Sequence, residues 1–126
     1  MANRRLNQFR YSYERDVVDL MVKISIGAAG APTISEGKGI LSVVHNSAGN
    51  YSVNLVDNFN MLLNADINVI SSTAPAAPLM NVASEQVSSS TAPRIVIQSR
   101  NAAGTATDPG SGEVLLVLIQ CRNAST

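Results

Sequence analysis

Residues Val114-Leu115-Leu116-Val117-Leu118-Ile119 are apolar at six consecutive positions. This run limits the fold more than any other feature. It is too short to span a bilayer as a helix and is rich in residues that favour strands. A β-strand sends successive side chains to opposite faces. If this is a strand, both of its faces need cover, so it is central in its sheet or buried by another subunit.

The rest of the chain reads as short strands between turns. Val22, Ile24 and Ile26 alternate with Lys23 and Ser25, and the run stops at Gly27-Ala28-Ala29-Gly30-Ala31-Pro32. Ile40 to Val44 and Tyr51 to Leu55 flank the turn cluster Asn46-Ser47-Ala48-Gly49-Asn50, which predicts a β-hairpin over 40–57. Asn58-Phe59-Asn60-Met61-Leu62-Leu63 shows no clean period and reads as a helical turn or a bend. Ala65, Ile67 and Val69 make a further strand, as do Ile95 to Ile97. Residues 71–93 read as a long Ser/Ala/Thr/Pro-rich loop with a short strand at 79–83. Pro75 and Pro78 keep that segment from a central sheet position. Residues 101–112, with three glycines and a proline, read as a hairpin loop. Tyr13 to Val22 has a helical rival reading, with Val17, Val18, Met21 and Val22 on one face, but the following alternation favours a strand. The expectation is an all-β, antiparallel β-sandwich or jelly-roll-like domain of six to eight short strands over 16–126. An extended N-terminal arm over 1–15 precedes it.

Composition removes most chemistry. The chain has 126 residues, one cysteine (Cys121), one histidine (His45) and no tryptophan. One cysteine allows no intrachain disulfide and no thiolate metal cluster. One histidine leaves a single candidate base for a Cys nucleophile. Yet His45 reads as a turn residue and Cys121 as a buried strand residue. Asp57, Asp66, Glu85, Asp108 and Glu113 fall at strand ends and loops, where acids are usually solvated turn formers. Gly27-Ala28-Ala29-Gly30 lacks the Lys-Ser/Thr and the helix of a phosphate loop. No enzyme, cofactor, metal or small-molecule substrate is expected. Nine basic and nine acidic residues cancel, which argues against bulk binding of nucleic acid or membrane and leaves self-association unopposed. The basic start has no apolar stretch after it, so it is not read as a secretory signal.

The arm is distinct. Residues 1–10 carry Arg4, Arg5 and Arg10 and no acid, and Phe9, Tyr11 and Tyr13 are three of the five aromatics. Fifteen extended residues reach roughly 50 Å, far enough to cross onto a neighbour. Arginine and aromatic side chains dominate interface energetics.

The order Asn7-Gln8-Phe9, Tyr13-Glu14, Val17-Val18-Asp19-Leu20 leads into Lys23-Ile24-Ser25-Ile26-Gly27-Ala28-Ala29-Gly30-Ala31-Pro32-Thr33. It continues through Gly39-Ile40, Asn46-Ser47-Ala48-Gly49-Asn50-Tyr51 and Leu55-Val56-Asp57. Over residues 7–63 this resembles small virion proteins of tailed bacteriophages, particularly capsid decoration (cement) proteins. The resemblance implies a protein made in the host cytoplasm that trimerises on the capsid exterior and clamps major capsid subunits. Arg4, Arg5, Phe9, Arg10, Tyr11 and Tyr13 would dock on the capsid. Val114, Leu116 and Leu118 would pack the sandwich and the trimer axis. The competing expectations are a tail or neck component forming larger rings, a tail-fibre receptor-binding tip with an aromatic platform, and a small hydrolase.

Overall fold

The computed structural model describes residues 17–122. The arm, with Arg4, Arg5, Phe9, Arg10, Tyr11 and Tyr13, lies outside the described residues.

Eight strands follow one another: β1 Val17–Ile26, β2 Pro32–Lys38, β3 Ile40–Ser47, β4 Asn50–Leu55, β5 Met61–Ile70, β6 Leu79–Glu85, β7 Arg94–Arg100 and β8 Val114–Arg122. One 3-10 turn, Ala28–Gly30, separates β1 from β2. The strands form two antiparallel sheets, ordered β2-β1-β8-β5 and β3-β4-β7-β6. This is the two-sheet sandwich expected from the alternation, at the upper end of the expected strand count.

Period-two patterning decides which side chains meet. Leu20, Val22, Ile24 and Ile26 of β1 are buried while Asp19, Met21 and Lys23 are exposed. Tyr51, Val53 and Leu55 of β4 and Ile95 and Ile97 of β7 face them from the second sheet. On β8 the buried set is Leu115, Val117, Ile119 and Cys121. Phe59 and Val87 complete the core from loops, tied by the Phe59 amide donating to the Val87 carbonyl at 2.8 Å.

Several local expectations change. Of the segment 58–63, read as a helical turn or a bend, Asn60 forms a bend and Met61-Leu62-Leu63 open β5. Its register shifts between Leu62 and Asn64, so an extra residue, Leu63, breaks the period. The Gly27–Pro32 stop is followed at once by β2, whose single large apolar residue, Ile34, leaves no alternation to read. Residues 101–112 do not close a hairpin: β7 and β8 lie in different sheets, and this loop crosses between them. The strand after Pro78 runs to Glu85 and takes the edge of its sheet.

All four register-shifted ladders involve an edge strand, β2, β5, β3 or β6, while the central pairs β1·β8 and β4·β7 run without a shift. Bulges twist an edge and hinder its pairing with another chain's edge. Between β2 and β3 the chain changes sheet in one residue. Gly39 makes that corner at φ 74°, and a Cβ there would stand 2.4 Å from Leu20 Cδ2.

The alternation on β8 yields a direct test. Ile119→Ala should lower unfolding free energy by about 2–5 kcal/mol. Gln120→Ala, one residue on and facing out, should stay within about 0.5 kcal/mol. Urea denaturation of both variants measures the difference, and equal losses would contradict this register.

Candidate functional site

Two regions were candidates for chemistry. The first is the His45–Cys121 combination. His45 lies on edge strand β3, stacked on the Tyr51 ring at 4.9 Å between centroids, and Cys121 lies on the core face of β8 in the other sheet. Burial, with the Glu85 charge adding to it, raises the Cys121 thiol to about 11. A nucleophilic cysteine needs the reverse, a thiolate stabilised near neutral pH.

The second is the set of carboxylates. Two of them are not the solvated turn formers that their loop positions suggest. Asp108 Oδ1 accepts from His45 Nε2 at 2.8 Å and from the Gly49 amide at 2.7 Å. Tyr51 Oη donates to the Gly30 carbonyl at 2.8 Å. These bonds tie the β3–β4 turn, the Ala28–Gly30 turn and the β7–β8 crossing into one clasp. Gly49, at φ 70°, is packed so closely that a Cβ would lie 2.3 Å from the Ser99 carbonyl oxygen. Burial, then the charge of Asp108, pushes the Tyr51 phenol well above its ordinary range. Glu113, 7% exposed, accepts from the Gly110 amide at 2.5 Å and the Ala76 amide at 3.2 Å. It holds the β5–β6 and β7–β8 crossings together. Both carboxylates, Glu113 buried and Asp108 half-buried, serve as loop anchors, since charge-assisted bonds to backbone amides are strong. Among the described residues no group of three or more His, Cys, Asp or Glu could hold a metal ion. No helix there is long and apolar enough to cross a membrane.

What remains is a surface. Val114, Leu116 and Leu118 do not pack the sandwich. They alternate with the core residues of β8 and lie on its opposite face, where Leu116 is 38% exposed. Register places Met21 of β1 beside Leu118 and Lys23 beside Leu116. On the other side of β8, Asp66 pairs with Leu118, Asn68 with Leu116 and Ile70 with Val114. On β2, Lys38 pairs with Met21 and Glu36 with Lys23. One row across the sheet therefore reads Lys38, Met21, Leu118, Asp66, and the next reads Glu36, Lys23, Leu116, Asn68. A groove of about 350 Å3 runs across these two rows.

The outer face of the second sheet is different. Its central strands present Asn50, Ser52 and Asn54 from β4 and Arg94, Val96, Gln98 and Arg100 from β7. These groups bond along the surface. Asn46 Nδ2 donates to Ser52 Oγ at 2.7 Å, Asn54 Nδ2 to Ser42 Oγ at 2.9 Å, and an Arg100 guanidinium nitrogen to Gln98 Oε1 at 2.8 Å. The centre of this outer face is thus hydrogen-bonded, with Val44 and Leu79 exposed on its edge strands, while the other face holds Met21, Leu116 and Leu118 at its centre between charged residues.

An aromatic binding platform is not found on the described residues. Their two aromatics, Tyr51 and Phe59, are both buried. Comparison of the chain with protein families, curated proteins and solved structures finds no match.

Two outcomes follow from the buried groups. Asp108→Ala, which strands the Gly49 amide and His45, should cost about 1–3 kcal/mol in thermal or urea unfolding. For Cys121, the folded state keeps its proton to higher pH than the unfolded chain, so its contribution is whole below about pH 9 and lost as pH rises towards 11. That loss amounts to about 3 kcal/mol at about 1.4 kcal/mol per pH unit. Cys121→Val should flatten the stability curve between pH 9 and 11 relative to the parent. Parallel curves would show that the thiol is not held protonated by folding.

Proposed function

We propose that this chain is a non-enzymatic virion structural protein, a capsid decoration (cement) protein that assembles as a homo-oligomer, a trimer, on the outside of a phage head and clamps major capsid subunits. The observation that carries the reading is the contrast between the centres of the two outer faces, one held by side chains hydrogen-bonded to one another, the other by Met21, Leu116 and Leu118. A face of the second kind is built to be covered by protein. The buried, protonated thiol and the use of Asp108 and Glu113 as loop anchors support a structural rather than a catalytic role. The sequence resemblance over residues 7–63 supplies the capsid setting.

The mechanism suits this chemistry. A clamp works by repeating modest contacts around a symmetric assembly, so that joint engagement holds where each contact alone would release. Arg4, Arg5 and Arg10 supply charge for the shell, and Phe9, Tyr11 and Tyr13 supply apolar anchors. The tail-fibre alternative asks for an exposed aromatic platform, and Tyr51 and Phe59 do not provide one.

Co-sedimentation with empty phage heads tests the reading. Among the described residues the buried core begins at Leu20, with Val18 packed against it, and on the docking reading deletion of residues 2–13 should leave the unfolding midpoint nearly unchanged and abolish pelleting with heads. Reversing the charges of Arg4, Arg5 and Arg10 should weaken pelleting, most at low salt. A full-length protein that never pellets, or a truncation that unfolds the sandwich, overturns the docking role. A ring of six or more subunits moves the assignment to a tail or neck component.

A further inference from the structure

We propose that the outer face of the β2-β1-β8-β5 sheet is covered by a second copy of this chain, with the β2 side of one face against the β5 side of the other. This deepens the assembly part of the reading above and rests on it, but does not depend on the shell.

The argument is one of charge placement around an apolar centre. In the row Lys38, Met21, Leu118, Asp66, a cation stands at one edge strand and an anion at the other, with two large apolar side chains between. Met21 is 57% exposed, and Lys38 and Asp66 are both exposed. Rotating a second copy by a half-turn about the β8 direction reverses this row. Lys38 then stands over Asp66, Met21 over Leu118, Leu118 over Met21 and Asp66 over Lys38. In the next row the stem of Lys23 lies over Leu116, and Glu36 lies over Asn68. No like charges meet in either row. Packed sheets keep their strands nearly aligned, which is the geometry that this rotation produces. Three copies turned inward about an axis parallel to β8 set the same β2 edge against the same β5 edge, so the charge logic holds for a ring of three as well.

The size is sufficient. Four strands make a face about 19 Å wide, and a nine-residue strand is about 30 Å long. Two such faces bury about 1,100 Å2 together, just above the roughly 1,000 Å2 that a specific interface needs. A partner of strong single charge is disfavoured, because Lys23 and Lys38 are balanced on the same rows by Glu36 and Asp66. The chain as a whole carries zero net charge, so two copies meet without net repulsion.

Light scattering of the full chain should give a multiple of 13.2 kDa. Leu118→Asp should reduce it to the monomer mass while circular dichroism keeps its strand signal, because residue 118 faces away from the core. Lys38→Glu and Asp66→Lys, made singly, should each weaken association several-fold. The double swap should restore it, a rescue that simple misfolding does not produce. A parent that stays monomeric at high concentration overturns the proposal, and the occupant of the face is then the chain's own residues 1–16 or another protein. An oligomer indifferent to Leu118→Asp and to the charge swaps overturns it too. Pelleting with phage heads separates this from the shell reading. An oligomer dissolved by Leu118→Asp whose parent never pellets keeps the interface and loses the shell. A parent oligomer that pellets with heads and a Leu118→Asp monomer that pellets far less keep both, because joint engagement is lost with the assembly.

Discussion

Strand β8 is hydrogen-bonded on one side to β1 and on the other to β5, from Val114 to Arg122. Its inner side chains, Leu115, Val117, Ile119 and Cys121, fill the middle of the core. Everything else in the first sheet is positioned from it. Its partners β1 and β5 lie far back in the chain, so the sheet closes through non-local pairing, which is the slow kind. A continuous apolar run favours this pairing in any register that buries one face. The bulge at Leu63 and the clasps at Asp108 and Glu113 narrow the choice to one.

The two anchoring carboxylates show how a sandwich of short strands controls long crossings. The loops that change sheet carry many backbone amides and few apolar side chains. Asp108 and Glu113 satisfy amides of the β3–β4 turn, the β5–β6 crossing and the β7–β8 crossing, and by doing so hold the ends of both sheets together. The same groups in an enzyme would face a cleft. Here they face backbone, and the histidine and tyrosine beside Asp108 complete a packed cluster rather than a reactive one.

The proposed function rests on how the two outer faces differ. The second sheet uses its outer positions for side-chain hydrogen bonds and water. The first sheet keeps Met21, Leu116 and Leu118 at its centre and sets opposite charges at its two edges. In the proposed assembly the like face of a second copy covers this arrangement. A structural protein that repeats weak contacts around an axis needs this kind of surface more than it needs a pocket.

Much of this was legible from local chemistry. Alternation at Val22 to Ile26 and at Tyr51 to Leu55, with Gly49 in the turn between β3 and β4, marks strands and a hairpin because side-chain period and turn conformation are local properties. The run 114–119 announces a strand needing cover on both sides for the same reason. Other elements carry no local signature. Strand β2 lies at an edge and is exposed, so nothing selects an apolar period. The bulge in β5 shifts its period in mid-strand. The β7–β8 loop resembles a hairpin, since a glycine-rich crossing and a glycine-rich turn have the same composition. Asp108 and Glu113 look like solvated loop acids until the fold brings Gly49, His45, Gly110 and Ala76 to them. Which face of β8 is inner, and that the outer one carries Lys38 and Asp66 at opposite edges, depends on strands far away in the chain, 52 residues separating Leu118 from Asp66 and 97 separating it from Met21. Periodicity is set by neighbours in sequence, but the composition of a sheet face is set by neighbours across it, and those are chosen only when the sheets assemble.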